Sequence, residues 1–334
     1  MIHPMFAPAP MFNPFALRSL ELPNRLLLTP GYTDCQAQDG KQDDTYGEQI
    51  SSLAGRRAGL ILTGPVAISA EGRITPGDPG IYTQAQCAFW ARFNEQLHNE
   101  SGLKIAITLN HAGRRGSSRS RTEGLDRPLQ VGSWQLFAPS PLPYTSITPV
   151  PRGMEQADIE RVRADFVQAA QFAREANFDM LQLHMAHGYL LASFLSPLTN
   201  QRSDDYGGSL ELRMRYPLEI FDAVRRVWPV DKPVAVMLNA NDCVKGGLTI
   251  EDAVSVARTL KEHGCDIISV SAGQTTSDGK PAYGRGFLTA YSDRIRNEAG
   301  IPTIVEGYLT TSDEVNTIIA AGRADLCIIE SSDT

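Results

Sequence analysis

The chain has 334 residues, enough for two average domains or for one large α/β barrel. Hydrophobic residues make up 42% and no low-complexity tract interrupts them, which excludes a disordered chain and predicts a sizeable core. Lys plus Arg number 31 against 38 Asp plus Glu, and the resulting charge of −7 excludes a broad nucleic-acid footprint.

Five cysteines (Cys35, Cys87, Cys243, Cys265 and Cys327) form no C-x-x-C pair and are odd in number, which predicts free thiols in a reducing cytoplasm. Met1 to Leu17 is broken by Pro4, Pro8, Pro10 and Pro14 and lacks a basic start, so it reads as neither a signal peptide nor a membrane span. Phe12 to Arg25 reads as a Pro-bounded hairpin, a plug beneath a barrel. Strand-like runs then alternate with helical patterns. Leu26 to Thr29, Gly59 to Thr63 and Lys104 to Leu109 are the first three strands, separated by helices over Tyr46 to Ala58 and Gln86 to Glu100. His111 to Arg152 is too long for an ordinary βα connection and reads as a functional loop or cap before a helix over Met154 to Ala176.

The fourth strand, Phe178 to Leu183, is followed by a helix over Leu210 to Val227 and a fifth strand over Pro233 to Leu238. Thr249 to His263 is a helix with Thr249 as its N-cap, and Asp266 to Val270 the sixth strand. A helix over Thr289 to Ala299, a strand over Pro302 to Glu306, a helix over Ser312 to Ala321 and a strand over Asp325 to Ile329 complete the pattern. Eight apolar strands with intervening helices predict a single (β/α)8 TIM-barrel domain over 1–334, with a doubly wound sheet as runner-up. No G-x-G-x-x-G follows the first strand, which argues against a dinucleotide fold. The final barrel helix has no sequence after Ile329, which predicts either a further segment or burial of that flank against another copy in a homo-oligomer.

Chemistry is expected at the end of the fourth strand. His184 and His187 are three residues apart, so a helical bend puts both imidazoles on one side, where they can grip a carbonyl or phenolate oxygen. Tyr189 offers a phenol able to give a proton to carbon beside that oxygen. Metal ligation and plain packing are the competing readings, but no third ligand stands at a familiar spacing, and polar groups at a strand end are usually placed for function.

Arg114, Arg115, Arg119 and Arg121 in HAGRRGSSRSR suit either a phosphate or CoA group or a solvated loop. Tyr283 and Arg285 after the sixth strand are candidate substrate contacts, together with Tyr32 after the first.

Several blocks carry a resemblance. NRLLLTP (24–30), HAGRRG (111–116), HMAHGYLLASFLSPLTNQRSDDYGGSLELR (184–213) and GGLTIEDAV (246–254) resemble the old yellow enzyme family of flavin oxidoreductases along almost the whole chain. SPLPYTSITPVPRGM (140–154) and KPAYGRGFLTAYSDRIRNEAGI (280–301) resemble, more narrowly, the reductase half of salicylyl-CoA and 2-aminobenzoyl-CoA monooxygenase-reductases. The resemblance implies an FMN-bearing barrel that reduces activated C=C bonds with NAD(P)H. His184 and His187 would hold the carbonyl oxygen and Tyr189 would be the proton donor.

The family's flavin positions fall on Thr29, Pro30, Thr108, Met237 and Gly307. Here Thr108 replaces a Gln that bonds the flavin pyrimidine, Met237 replaces an Arg at its N1–O2 edge, and Glu330-Ser331 replaces the Gly-Arg that holds the phosphate. Glu306 adds a carboxylate nearby. A thioether cannot neutralise reduced flavin, and an anion in place of a cation reverses the sign of the phosphate contact. These losses predict weak or abolished FMN binding beside an intact His184–His187–Tyr189 trio. Three functions follow: an FMN-dependent ene-reductase, a flavin-free isomerase or lyase on an enone or cyclic dienone, and a non-catalytic barrel serving an oxygenase.

Overall fold

The computed structural model describes residues 9–30, 44–54, 58–124 and 126–329. Eight parallel strands close into a barrel in chain order: β1 (Leu26–Leu28), β2 (Leu60–Ala67), β3 (Lys104–Asn110), β4 (Met180–Met185), β5 (Val234–Asn239), β6 (Ile267–Ser271), β7 (Thr303–Val305) and β8 (Leu326–Ile328). This is the (β/α)8 fold, with β8 pairing back to β1 through Cys327↔Leu26 and Ile328↔Leu27. The mantle consists of α1 (Asp44–Ala54), α2 (Gln84–Ser101), α3 (Gln156–Glu175), α4 (Leu190–Leu195), α5 (Leu210–Val227), α6 (Ile250–Glu262), α7 (Thr289–Arg294) and α8 (Ser312–Ala320).

Strands buried on both faces read as continuous apolar runs, and strict alternation divides them between two cores. Leu60, Ala106, Met180, Ala235, Ile267, Ile304 and Leu326 point inward and pack together. Their neighbours Ile61, Ile105, Leu181, Val234 and Ile268 point outward into the helix-facing core. Two residues further along β3, β4, β5 and β6 the inward positions turn polar or soft, at Thr108, Gln182, Met237 and Ser269, while Leu62 and Ile328 on β2 and β8 stay apolar. The barrel therefore has an apolar floor and a more polar upper layer.

The N-terminal hairpin (Phe15–Leu17 with Leu20–Leu22) turns at Arg18, whose φ is +50°, and presses Leu17, Leu20 and Leu22 against the inward floor residues. It closes the lower end of the barrel. Thr249 caps α6 by accepting from the Asp252 backbone N–H at 3.2 Å, and the Asp252 side chain returns a bond to the Thr249 N–H.

Two expectations are modified. Leu190–Leu195 forms α4, a short helix in which every residue is buried, where no element was expected between the fourth strand and the helix beginning at Leu210. A segment buried all round carries no amphipathic period to read. The helix over Thr289 to Ala299 changes at Ile295 from α to a π turn that ends at Gly300 (φ +65°). The four described cysteines carry free thiols, while Cys35 lies outside the described residues, as does everything after Ile329. Among the described residues no helix is long and apolar enough to cross a membrane.

If the hairpin leucines complete the barrel floor, Leu22→Ala should lower the unfolding free energy by roughly 2–5 kcal/mol in chemical denaturation. The exposed neighbour change Glu21→Ala should cost less than about 0.5 kcal/mol. Equal losses for the two variants would contradict a packed floor.

Candidate active site

A cavity of about 360 Å³ opens at the C-terminal mouth of the barrel, where the polar layer faces out. His184 and His187 are both in its wall, with ring centroids 5.2 Å apart. They converge because the backbone leaves β4 through two successive left-handed residues, His187 (φ +57°) and Gly188 (φ +70°). At Gly188 a Cβ would meet the carbonyl oxygens of Gln274 at 2.6 Å and Thr275 at 2.9 Å, so only glycine fits. At His187 the same backbone region costs of order 1–3 kcal/mol and must be held by its surroundings. Arg115 Nη1 donates to the His187 carbonyl at 2.6 Å, and the His187 N–H donates to Asn239 Oδ1 at 3.2 Å.

The tautomer of His184 follows from one contact. The Ala186 backbone N–H donates to Nδ1 at 3.3 Å, so the ring proton of the neutral imidazole sits on Nε2. Burial, reinforced by His187 and Arg115, holds the His184 pKa well below its ordinary value. His184 is thus a neutral N–H donor. His187 Nε2 lies 2.6 Å from Ser271 Oγ, at the end of β6. Where the Ser271 hydroxyl donates to His187 Nε2, the His187 ring proton sits on Nδ1, and the two imidazoles can then share an anionic oxygen.

Tyr189, 3% exposed, stands beside the cavity, its ring edge-on to His184 at 4.9 Å and to His187 at 6.3 Å. The Arg115 guanidinium lies 5.3 Å from the Tyr189 ring centroid and 4.2 Å from that of Tyr144. It also pairs with Asp126 at 2.8 Å. Burial pulls the charge on Arg115 down, but Tyr189, Tyr144 and Asp126 outweigh it and hold the group above its ordinary pKa.

Arg114 and Arg115 are therefore not available to a phosphate or CoA group, nor do they form a solvated loop. Residues 111–118 are buried, and the two terminal nitrogens of Arg114 donate to the carbonyls of Leu142, Pro143 and Thr275. Sequence reading missed this because an arginine run looks the same whether it faces water or internal carbonyls. Asn239 and Ser271 were also missed, though each ends a strand as His184 nearly does, and that signal could have found them. Gln182, an inward polar residue two before His184, was missed as well.

Of the positions matched to the family's flavin contacts, Thr29, Thr108, Met237 and Gly307 line the cavity, together with Glu306 and Tyr283. Pro30 is half-buried and outside the wall. Arg285 is 71% exposed and pairs with Glu314 at 3.2 Å, away from the cavity. Tyr32, Glu330 and Ser331 lie outside the described residues.

Residues 10–330 match the NADH:flavin oxidoreductase / NADH oxidase family. The chain belongs to that family. It is 37% identical over 320 residues to an NADPH dehydrogenase of Geobacillus sp. (strain WCH70), covering 96% of this chain and 89% of that protein. Identity to the NADPH dehydrogenase of Bacillus subtilis (strain 168) is 34%, with the same coverage of 96% and 89%. The old yellow enzyme homologue from Zymomonas mobilis superposes with a TM-score of 0.77 at 26% identity, over 96% of this chain and 88% of that one. A 2-naphthoyl-CoA reductase in complex with 2-naphthoyl-CoA gives a TM-score of 0.85 at 21% identity, a likeness of fold alone. The match covers 96% of this chain but only 49% of that one.

The family binds FMN, and the cavity residues can be tested against that group. No Lys or Arg stands among the described lining residues, where a phosphate dianion needs cations. Gly307 (φ +115°) belongs to the expected phosphate cradle, but the space its missing Cβ leaves is taken by the Phe287 ring, which an added Cβ would meet at 2.9 Å. Met237 offers a thioether where charge is needed, and the Thr108 hydroxyl is spent on the Thr63 carbonyl at 3.1 Å. The described residues do not fit FMN.

His111, at the end of β3, repeats the His184 arrangement: the Gly113 N–H donates to its Nδ1 at 3.0 Å. Burial pushes its pKa down to about 4, with Glu71 opposing and Arg161 assisting. The unfolded value is near 6.5, so the unfolded chain takes up the proton first as pH falls. The contribution is present above pH 6.5 and is lost as pH falls from there toward 4, by roughly 3 kcal/mol. Asp78 and Asp165, both pushed up to about 6 by burial, titrate with the opposite sign, so the useful quantity is a difference between proteins. Between about pH 7.5 and 4.5 the melting temperature of His111→Gln should fall less than that of the unaltered protein. Parallel slopes would show that His111 is not buried in the neutral form.

Proposed function

We propose that the cavity binds an enone or cyclic dienone by its carbonyl oxygen and moves a proton between its carbons, bringing the C=C bond into conjugation without net oxidation or reduction. The observation that carries this reading is the fixed Nε2–H donor of His184 facing the same cavity as His187, 5.2 Å away. Hydrogen bonds from the two imidazoles stabilise negative charge as it builds on the carbonyl oxygen. Tyr189 is the proton carrier. The Arg115 guanidinium lies 5.3 Å from its ring centroid.

In such a reaction the Tyr189 phenol, once ionised, takes a proton from carbon next to a β,γ-unsaturated carbonyl, becomes neutral, and gives a proton back to carbon in the second half. The freed electron pair moves onto the held oxygen. Reprotonation at the far end of the dienolate shifts the double bond into conjugation, and every atom and electron is retained. The proposal assigns the substrate end of the cavity to Tyr283 and assigns no role in binding to Arg285.

A second reading is ene reduction by NAD(P)H through FMN, which the 37% identity to an NADPH dehydrogenase supports. It needs cations for the phosphate that the described cavity wall does not supply.

The two readings separate on one substrate. Conversion of cyclohex-3-enone to cyclohex-2-enone, followed by ultraviolet absorbance in D2O without nicotinamide, should proceed and place deuterium in the product. Tyr189→Phe should slow it by about 10²- to 10⁴-fold, and His184→Ala by about 10²- to 10³-fold. Turnover that appears only with FMN and NAD(P)H would replace this reading with ene reduction. Activity unchanged in both variants would leave the barrel without a catalytic role for these residues.

A further inference from the structure

Gln182 stands two residues before His184 on the inward face of β4, belongs to the cavity wall, and is 1% exposed. Its amide orientation is fixed by a chain of bonds. The Thr108 hydroxyl donates to the Thr63 carbonyl at 3.1 Å, so Thr108 Oγ1 must accept from its other neighbour. That neighbour is Gln182 Nε2, at 3.2 Å. The amide nitrogen is thereby turned to Thr108, and Gln182 Oε1 is left buried with no partner among the described residues. A buried acceptor without a donor is costly, and such atoms in native proteins generally meet water or a ligand.

Two neighbouring wall residues on one strand thus differ in polarity: His184 carries its ring N–H on Nε2, and Gln182 has a buried Oε1 with no partner among the described residues. Residues i and i+2 of a strand are about 6.6 Å apart. That spacing is comparable to the width of a six-membered ring bearing substituents at both ends.

We infer that the substrate carries a hydroxyl or amino donor on the side of its ring away from the carbonyl, and that Gln182 Oε1 accepts from it. The inference rests on the reading of His184 and His187 as the carbonyl grip. It makes Gln182 a specificity residue, with Thr108 as the residue that aims it.

Equilibrium binding of cyclohex-2-enone and 4-hydroxycyclohex-2-enone, measured by calorimetry, tests it. The unaltered protein should bind the hydroxylated ketone about tenfold more tightly, the worth of one good neutral hydrogen bond in a buried site. In Gln182→Met the preference should fall to near unity while affinity for cyclohex-2-enone is kept. Gln182→Glu, which retains an acceptor, should keep the preference, and Thr108→Val, which frees the amide to turn, should reduce it. Equal binding of both ketones by the unaltered protein would mean that water satisfies Gln182, and would overturn the inference while leaving the carbonyl grip intact. A preference that survives Gln182→Met would overturn it equally. His184→Ala should weaken both ketones alike. If neither ketone binds the unaltered protein, the carbonyl reading fails and this inference fails with it.

Discussion

Both imidazoles reach the cavity because the chain turns left-handed twice after β4, and the bond from Arg115 to the His187 carbonyl holds that turn. Arg115 can stay buried only while its charge is balanced. Asp126 supplies the counter-charge at 2.8 Å, and the rings of Tyr144 and Tyr189 cover the guanidinium. Removing one partner of such a pair leaves an uncompensated buried charge, at a cost of roughly 3–5 kcal/mol. The His187 carbonyl, Asp126 and the rings of Tyr144 and Tyr189 therefore all meet one guanidinium. Asn239 ties the same turn to β5, donating in its turn to the Gly273 carbonyl and Thr275 Oγ1. The positions of His184, His187 and Tyr189 are thus set by contacts within the chain itself.

The flavin end of the cavity is organised differently. At an effective dielectric of 20, two unit charges at about 4 Å interact by about 4 kcal/mol. Among the described lining residues no Lys or Arg supplies that attraction, and Glu306 places a carboxylate in the same wall. Phe287, packed against Gly307 and 5.4 Å from Tyr283 by ring centroids, adds apolar aromatic surface where a phosphate would need donors. Family membership and cofactor binding need not travel together, because the barrel's floor, hairpin and left-handed turn are independent of the phosphate contacts. What the wall does retain is polarity suited to a small carbonyl compound.

Much of this was legible from sequence because barrel strands and their helices announce themselves. Val234–Asn239 and Ile250–Glu262 fell within a residue or so of their expected limits, set by an apolar run and by the Thr249 cap. His184 and His187 were picked out by their strand-end position, but the helical bend expected from their spacing is absent: the chain turns through left-handed His187 and Gly188 instead. Other features depend on the partner rather than the residue. Arg114 and Arg115 are internal because distant carbonyls and Asp126 receive them, and no local pattern encodes that. The α4 segment hides for the opposite reason, being apolar on every side. Gln182 differs from a satisfied core amide only through the Thr63–Thr108 chain that fixes its orientation.

The central claim is that acid–base geometry survives here without the contacts that hold FMN. An FMN titration of the purified protein, followed by visible absorption and by quenching of flavin fluorescence and repeated after desalting, tests it most directly. The account predicts a protein that leaves desalting colourless and quenches no flavin fluorescence at micromolar FMN. A flavin band retained near one equivalent per chain would contradict it.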